Sequence, residues 1–557
     1  MVRRRIVAAI LALVVFVVAG CARPKETEEK PTPGGTLTLG LLRAPAGSLR
    51  PGAGEERDSA LVAQLMYSGL LRSGPMYELV CDLCTDFAVS EDRRTLTFHL
   101  RKDVQWHDGK PLTAADVVFT YQSILAPEYT GAQAGRLTAL LGVQAMMDER
   151  DAIDRDVAAG KVSLAGGAAR KSAAWKRWLD GPGHRAVAAV DANTVTFTAD
   201  VAFAPLLTVM LLPIAPAHTR EPVGTGPFKL AEFKQGEYVR LVRHDAYHLA
   251  KPYVDAIICR VVPPGQAAEM LKAGTLDYAP LSPAQAAGVA APVKVAEWPV
   301  FGYQYLGLNQ DRPLFADRRV RQALLYGLNR QGLVDSVLQG RGTVLNTHML
   351  PGHWAAQVSG LNAYPYDPAK AAALLTEAGW GALDGEGYRV RDGRRLQFTL
   401  KYPKGNPARE ASAAQIQRDL SAIGVKVDLA VLEFGQLVRE VFGERQADAW
   451  LLGWDVGIDP DPGPMFSPDN KWGQASGWSS RQSDELLSRG RQLSGVTERK
   501  PVYDEWLKLI NDELPFLFLY AESDLAGVRT DRVRGVAPDA RGALWNIWQW
   551  WIPAEQQ

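Results

Sequence analysis

Three aspartates follow a tryptophan in the segment 451–466, LLGWDVGIDPDPGPMF: Asp455, Asp459 and Asp461 come after Trp454. Neighbouring carboxylates can hold a cationic group of a ligand, or act as general acid and general base in a hydrolase. Aspartates that alternate with proline and glycine also commonly form turns. The sequence therefore offers three interpretations: a binding site, an acid–base pair of Asp455 and Asp459, or a set of turn residues.

Recognised catalytic signatures are missing from the sequence. It contains neither HExxH nor GxSxG, which supply zinc-binding histidines and a serine nucleophile. The run 166–172 (GGAARKS) lacks the glycine that a phosphate-binding loop has directly before its lysine. Gly224-Thr225-Gly226 is followed by Lys229 where a dinucleotide-binding loop has its third glycine. We therefore predict no catalytic residues, no enzyme activity and no cofactor.

Four cysteines occur in the chain, and two of them are close in sequence. Cys81 and Cys84 form a CxxC motif, which can be a redox pair, a small-loop disulfide or half of a zinc site. No second CxxC and no nearby histidine pair completes a zinc site. The motif favours a structural disulfide or two free thiols.

The first 21 residues have the pattern of an export signal. Arg3, Arg4 and Arg5 precede an apolar stretch that is short for a membrane span. The stretch ends in Val-Ala-Gly-Cys21, which resembles a bacterial lipobox and predicts lipidation of Cys21. Residues 22–33 are charged and proline-rich, so we expect a flexible tether between a lipid anchor and the folded body.

The composition excludes a nucleic-acid-binding protein. The chain has 62 basic and 62 acidic side chains, and removal of the signal segment would leave 59 and 62. This balance gives no basic surface for nucleic acid. The length of the remaining chain predicts two or three lobes.

The secondary-structure elements that would position the candidate residues are clearest in the segment 100–121. Residues 95–100 alternate between apolar and polar side chains and predict a strand. His107 and Asp108 are predicted to belong to a turn rather than to a catalytic pair. Thr113 is a predicted helix N-cap, with Asp116 as the acidic partner of a capping box.

The same segment resembles the signature of the bacterial extracellular solute-binding proteins of family 5, the oligopeptide- and dipeptide-binding lipoproteins of ABC transporters. The similarity rests on Trp106-His107-Asp108-Gly109 and Pro111-Leu112-Thr113, followed by a helix with Asp116-Val117. Further similar blocks lie at 222–252, 317–338 and 366–380. The region 125–185 looks longer and more charged than is usual in the family, and we interpret it as a surface helix pair with a loop.

The resemblance implies an α/β, two-lobed periplasmic-binding-protein-like fold (type II, cluster C) with an additional small domain. The expected division gives lobe I residues 34–70, 188–299 and 522–553. The additional domain would be 71–187, and lobe II would be 300–521. Ligand would be enclosed between the lobes.

The resemblance also implies where the ligand site lies. Peptide binders of the family have an aspartate three residues after the tryptophan of a Gly-Trp pair, where it binds the peptide ammonium, but this chain has Gly457 there. Either Asp455 or Asp459 takes its place, or the ligand is not a standard peptide. Tyr303 and Tyr305 lie where the family chain enters lobe II and share one face of a strand. The downstream tryptophans Trp472 and Trp478 resemble a family segment near the ligand, whereas the four of the C-terminal strand region are assigned to packing: Trp545, Trp548, Trp550 and Trp551.

Two histidine pairs remain as candidate metal ligands, His244 with His248 and His348 with His353. A spacing of four suits chelation on a helix, but in the family the first pair lies in an extended segment and a turn, which would separate the rings. We predict no metal site. The implied function is that of a monomeric, lipid-anchored substrate-binding protein that faces the periplasm or cell exterior. It would pass a peptide or other small solute, such as an oligosaccharide, an opine or a metal chelate, to the permease of an ABC importer.

Overall fold

The computed structural model describes residues 29–45, 47–51 and 57–557. The predicted signal segment and the lipidation site at Cys21 lie outside the described residues. Residues 29–33, which were predicted to be part of a flexible tether, instead lie along the C-terminal segment. Thr32 Oγ1 donates a hydrogen bond to the carbonyl of Ile552 (2.7 Å), and Glu29 forms an ion pair with Arg534 at 2.8 Å. These contacts fix that part of the segment against the folded body.

The strands of the described residues form one large sheet and three small ones. In chain order they are β1 (Thr36–Leu41), β2 (Leu71–Ser73), β3 (Leu79–Cys81), β4 (Cys84–Val89), β5 (Thr95–Leu100), β6 (Val187–Asp191), β7 (Thr194–Thr198), β8 (Phe228–Lys234), β9 (Tyr238–Arg243), β10 (Ala256–Val261), β11 (Tyr278–Pro280), β12 (Val293–Pro299), β13 (Gly302–Leu308), β14 (Gly342–Val344), β15 (Ala382–Leu383), β16 (Arg389–Arg391), β17 (Arg394–Arg395), β18 (Gln397–Pro403), β19 (Lys426–Leu432), β20 (Ala449–Asp455) and β21 (Phe516–Arg529).

Helices cover the sheets and connect the strands. The longer ones are α1 (Arg57–Met66), α2 (Ala114–Leu125), α3 (Val143–Ala158), α4 (Leu164–Trp178), α5 (Arg318–Gly327), α6 (Arg330–Val337), α7 (Pro368–Glu377), α8 (Pro407–Ser421), α9 (Arg481–Gln492) and α10 (Gly495–Glu513). Shorter helical turns lie at His184–Ala186, Ala204–Leu211, Ala267–Lys272, Pro283–Ala287, Pro313–Ala316, Phe434–Val438, Gly463–Phe466, Lys471–Gln474 and Leu544–Gln549. Within the described residues, no helix is both long enough and apolar enough to cross a membrane.

The large sheet runs through both lobes because β21 belongs to both. The first half of β21 pairs with β13 and β14, and its second half pairs with β11 and β12. The strand order of the described sheet is β19-β18-β20-β13-β21-β11-β1-β10-β9-β8. The chain enters lobe II through the short link between β12 and β13 and leaves it through β21. Two adjacent chain segments therefore connect the lobes.

The additional domain has its own sheet and its own core. Strands β4, β5, β7 and β6 form its antiparallel sheet in that order, and its core extends from Leu70 to Ile214. The predicted boundary at residue 188 is wrong, because β7 pairs with β5 and β6 pairs with β7, so neither strand belongs to the sheet of lobe I. The helical turn Ala204–Leu211 also packs into this core. Strand partners depend on distant residues, which the local pattern does not encode.

Several local predictions are confirmed by the structure. Residues 95–100 form β5, and the Thr113 backbone donates to Asp116 Oδ2 (2.9 Å) in a capping box at the start of α2. The charged region 125–185 contains the packed pair α3 and α4. The α/β class is thus visible already in the local elements.

The additional domain contacts lobe II directly. The backbone N–H of Trp354 donates to the Met76 carbonyl (3.0 Å), and the Tyr77 ring lies 5.0 Å from the ring of Phe301. Arg93 forms an ion pair with Glu498 at 3.2 Å. The described arrangement is therefore one in which the two lobes and the additional domain approach each other around a common space.

Candidate functional site: a cleft between the lobes

A cavity of about 510 Å³, called here the interlobe cavity, lies where lobe I, the additional domain and lobe II meet. Lobe I supplies one face of α1 and Tyr67, and the additional domain supplies residues 211–213. Phe301 and Ile458 come from the lobe II side. A space bounded by all three parts is where a ligand would be enclosed on closure.

A second cavity of about 680 Å³ continues the first one along the additional domain. The two cavities share the lining residues Leu211, Leu212, Pro213, Phe301 and Ile458. The second cavity then passes along residues 456–463. Together they form an elongated and mostly apolar cleft, which suits an extended small ligand.

Glycines bring the backbone together beneath the interlobe cavity. A Cβ atom added at Gly224 would lie 1.8 Å from the Met66 carbonyl oxygen, and one at Gly226 would lie 2.5 Å from its carbon. The Gly226 N–H donates to the same carbonyl (2.9 Å). The Gly224-Thr225-Gly226 motif, which resembled a nucleotide loop only superficially, therefore packs against the end of α1 and helps to position Tyr67 in the cavity.

The residues 455–463, called here the aspartate loop, are held by buried charge pairs. Asp459 accepts two hydrogen bonds from Arg499, at 2.6 and 2.7 Å, and the two side chains are 10% and 7% exposed. Burial alone would lower the pKa of Arg499, but hydrogen bonds and charge from Asp459 outweigh it and hold that pKa above its usual range. Asp461 accepts from Arg491 at 2.9 and 3.0 Å.

These pairs change the interpretation of the predicted site residue Asp459. A carboxylate that already accepts a bidentate arginine inside the protein has little capacity left for a ligand ammonium. Asp459 therefore stabilises the loop, and the prediction that it could replace the ammonium anchor does not fit its geometry. Its partner, Arg499, lies forty residues further along the chain, where no local sequence signal links the two.

Two buried histidines hold the same loop. His353 Nε2 lies 2.9 Å from the carbonyl oxygen of Ile458, and the His348 ring lies close to the backbone of Pro460. Burial lowers the pKa of His348 to about 3 and also lowers the pKa of His353. Both rings are therefore neutral near pH 7 and have a structural role.

Asp455 lies apart from the other two aspartates. It ends β20, opposite Gly302 of β13, and lines a separate lobe II cavity of about 530 Å³. Its carboxylate is exposed and forms no ion pair with a described residue. Of the predicted carboxylates, Asp455 is thus the one that lines a cavity without being paired to a described arginine.

The lobe II cavity combines a polar cluster with aromatic rings. Gln304 accepts a hydrogen bond from Arg409 Nε (3.1 Å) and donates one to Glu522 (3.2 Å). Burial lowers the pKa of Arg409. Trp454 and Trp472 line the cavity with their ring centroids 5.7 Å apart. This cavity could bind a polar group beside an aromatic surface.

The predicted tyrosines and tryptophans divide between cavity and core. Tyr303 and Tyr305 line the lobe II cavity, but both are buried, at 3% and 1% exposure, and pack against Phe518 and Phe516. Trp478 packs against Phe466. The predicted ligand contact of the two tyrosines would thus be limited to ring edges.

Two of the four C-terminal tryptophans do not have the packing role that was predicted for them. The segment forms the helical turn Leu544–Gln549 rather than a strand, and Trp545 and Trp548 line the interlobe cavity. The Arg541 guanidinium lies 3.3 Å from the centre of the Trp545 ring. Trp550 is fully buried, as expected for packing. This tryptophan cluster is the sequence signal for the cavity, and the prediction that all four tryptophans serve packing is wrong for Trp545 and Trp548.

The remaining candidate groups are structural. His244 Nδ1 bonds the Gly226 carbonyl (3.1 Å), and His248 Nε2 bonds Asp82 (2.8 Å). In the described part of the chain, no cluster of three histidine, cysteine or acidic side chains could hold a metal. The sulfur atoms of Cys81 and Cys84 are bonded to each other. This disulfide closes the turn that contains Asp82.

A fold with two lobes, two connecting segments and a cleft between them defines a solute-binding protein of the two-lobed class. The profile described as "Bacterial extracellular solute-binding proteins, family 5 Middle" matches residues 78–477. The chain belongs to family 5 of the bacterial extracellular solute-binding proteins.

The names of its relatives mention several kinds of ligand. The chain is 28% identical over 542 residues to the oligopeptide-binding protein AppA of Bacillus subtilis, which covers 95% of this chain and 93% of that protein. It is 26% identical over 503 residues to the dipeptide-binding protein of Escherichia coli, with 84% and 85% covered. It is also 24% identical to heme-binding protein A of Haemophilus influenzae over 548 residues, with 91% and 92% covered.

Solved structures have the same fold. AppA from Bacillus subtilis in complex with a nonapeptide aligns with a TM-score of 0.64 at 25% identity, over 94% of this chain and all of that one. The unliganded open form of the murein tripeptide-binding protein MppA aligns with a TM-score of 0.77 at 19% identity, over 94% and 99%. The relatives named here are binding proteins.

Proposed function

We propose that this protein captures a peptide in the interlobe cleft and delivers it to the permease of an ABC importer. The observation that carries the proposal is the continuous cleft between the lobes, lined mainly by apolar side chains and bounded by Phe301 of the link between β12 and β13. The names of the relatives AppA and the dipeptide-binding protein support peptide as the cargo. The protein would act as a monomeric carrier without enzyme activity.

Binding would be coupled to closure of the lobes. The link between β12 and β13 and the middle of β21 lie side by side, and bending of these two segments would move one lobe against the other. Closure would bury the ligand and increase the strength of its polar contacts. The closed form would then be recognised by the membrane permease, whereas the open form would release ligand.

The amino terminus supports an anchored location. The lipobox-like sequence before Cys21 predicts a diacylglycerol thioether on that residue. In this proposal the lipid holds the protein at the membrane, facing the periplasm or the cell exterior. A Cys21→Ser variant of the full chain should then be recovered from the aqueous phase of a detergent partition, while the native chain enters the detergent phase.

One observation favours a second candidate, in which the same cleft carries a non-peptide solute. Gly457 replaces the expected anchoring aspartate, Asp459 is paired with Arg499, and the unpaired Asp455 lines the separate lobe II cavity, so the interlobe cleft has no unpaired carboxylate of the aspartate loop to bind an ammonium group. An oligosaccharide, an opine or a metal chelate would not need one.

Native mass spectrometry separates the two candidates. Residues 22–557 are produced in the export compartment of a host, purified without refolding, and measured before and after denaturation. Release of a series of short peptides supports peptide transport. Release of a sugar or a metal complex, or failure to bind any member of a peptide library, contradicts it.

A further inference from the structure

The charged side chains that line the interlobe cavity are mostly basic. Among the described lining residues they are Arg50, Arg72, Arg541 and one acid, Asp82. Asp82 is 7% exposed and is bonded to His248, and Arg541 is bonded to its neighbour Asp539. Arg50 and Arg72 form no ion pair with any described residue. The cavity therefore contains positive charge that the described part of the protein does not neutralise.

Arg72 has a buried donor without a partner. Its Nε atom is buried and makes no hydrogen bond. Arg72 lies on β2 opposite Val80 of β3, in a hairpin that ends at the Cys81–Cys84 disulfide. The hairpin thus holds the guanidinium beside the cavity. An unsatisfied buried donor is costly, and its retention is understandable if a ligand supplies the acceptor.

Tyr67 adds a second unpartnered group to the same cavity. The side chain is 5% exposed, and its hydroxyl forms no hydrogen bond. Burial raises the pKa of this hydroxyl above its usual range, and the charge of Arg50 offsets part of that effect. The hydroxyl therefore keeps its proton and can donate it to a ligand oxygen.

Two arginines and a protonated tyrosine form a set of hydrogen-bond donors. Arginine can only donate, and an ionised carboxylate can only accept. A bidentate arginine–carboxylate pair is among the strongest hydrogen-bonded contacts in proteins. A neutral amide offers these donors a single carbonyl oxygen and no charge, and a cationic group would be repelled.

We propose that the interlobe cavity is a subsite for a carboxylate of the ligand, which Arg72, Arg50 and Tyr67 would bind together. The proposal rests on the proposed function, because it makes the favoured cargo a peptide with an anionic group at this place. The carboxylate can be an acidic side chain or the peptide terminus, since both present the same chemistry.

A positional peptide scan tests the proposal. The parent is a neutral peptide selected from the library, and each position is replaced in turn by Glu, Gln or Lys. Every peptide is made with a free and with an amidated carboxyl terminus, and affinities are measured by titration calorimetry. We expect one position at which Glu binds at least tenfold more tightly than Gln and Lys binds more weakly than either. A tenfold loss on amidation would identify the terminal carboxylate instead.

Variants connect the preference to the cavity. Arg72→Gln should reduce the tenfold preference to less than threefold while neutral peptides keep their affinity, and Arg72→Lys should retain part of the preference. Tyr67→Phe should lower affinity for the acidic peptide alone. Arg481→Gln is the matched control, because that arginine is 92% exposed on α9. It should change nothing.

The outcomes separate the inference from the proposed function. Peptides that bind with equal affinity whatever their charge overturn the carboxylate subsite and leave peptide transport standing. A charge preference that persists unchanged in Arg72→Gln with Arg50→Gln also overturns it. Failure of every peptide to bind overturns the proposed function, and the subsite for a peptide carboxylate with it.

Discussion

The aspartate loop and the interlobe cavity differ in whether their buried charged or polar side chains have partners within the protein. In the loop, Asp459 and Asp461 are each paired with an arginine from α9 or α10, and the pairs are largely buried. In the cavity, Arg50 and Arg72 have no carboxylate partner among the described residues, and the Tyr67 hydroxyl has no partner either. The two regions meet at Ile458, which belongs to the loop and lines the cavity.

This difference indicates how to distinguish structural charges from binding charges. A buried charge that is paired within the chain stabilises a particular loop conformation, and removal of one partner leaves the other uncompensated. A donor left unpaired beside a cavity costs stability and gains a partner when ligand binds. Substitutions in the loop should therefore lower stability, and substitutions in the cavity should mainly lower affinity.

The largest expected effect is that of Asp459→Ala. The change leaves the buried Arg499 guanidinium without its carboxylate, and we expect the free energy of unfolding to fall by about 3–5 kcal/mol. Urea denaturation followed by tryptophan fluorescence measures it. Glu485→Ala removes an exposed pair with Arg481 and serves as the control, with an expected loss of less than about 1 kcal/mol. Equal losses in the two variants would contradict the structural role of Asp459.

The second largest expected effect is a decrease in the free energy of unfolding when the pH falls. The folded-state pKa of His348 is lowered to about 3, so the unfolded chain binds more protons and stability falls as pH decreases below about 6.5 toward 3. Between pH 7.5 and pH 5 this histidine alone should account for roughly 2 kcal/mol.

Comparison of unfolding curves at the two pH values, for the native chain and for His348→Gln, isolates that contribution. The variant should show a smaller decrease. An identical pH dependence in both proteins would show that His348 does not stay neutral in the folded state.

In the cavity, the sign of the stability change should reverse for Tyr67→Phe. Loss of a buried hydroxyl without a partner should raise the free energy of unfolding of the ligand-free protein by about 1 kcal/mol. Tyr121→Phe is the matched control, because the Tyr121 hydroxyl is buried but donates to the Val209 carbonyl (3.1 Å). That variant should lose stability. A decrease in both would mean that the Tyr67 hydroxyl has an acceptor in solution.

Arg72→Gln should have the smallest effect on folding. Because Arg72 has no ion pair with a described residue, we expect the free energy of unfolding of the variant to stay within about 1 kcal/mol of the native value. Arg499→Gln, measured in parallel, should be destabilised by several times that amount, on the order of 3 kcal/mol or more. If Arg72→Gln unfolds as readily as Arg499→Gln, the two regions do not differ in the way described.

Sequence reasoning predicted the family, the fold class and the local elements. Thr113 and Asp116 encode a helix start within four residues. Signals of this kind depend on neighbours in sequence, so they can be interpreted before the fold is known.

The features that could not be predicted from the sequence depend on partners that are distant in the chain. The assignment of β6 and β7 to the additional domain depends on the pairing of β7 with β5 and of β6 with β7. Asp459 looked available because its partner is Arg499, far along the chain. Arg50, Arg72 and Tyr67 gave no signal, because three ordinary residues from separate positions become a site only when the lobes and the hairpin bring them together.

The position of β21 in the chain has a consequence for biosynthesis. This strand lies between β13 and β11 in the middle of the large sheet, yet it is encoded by residues 516–529 of 557. While the chain is being synthesised, both lobes therefore lack a central strand until the last few dozen residues are available, and pairings over such separations form slowly. Neither lobe can complete its part of the sheet during most of the synthesis of the chain. An incompletely folded chain is the form that an exporting translocation channel accepts.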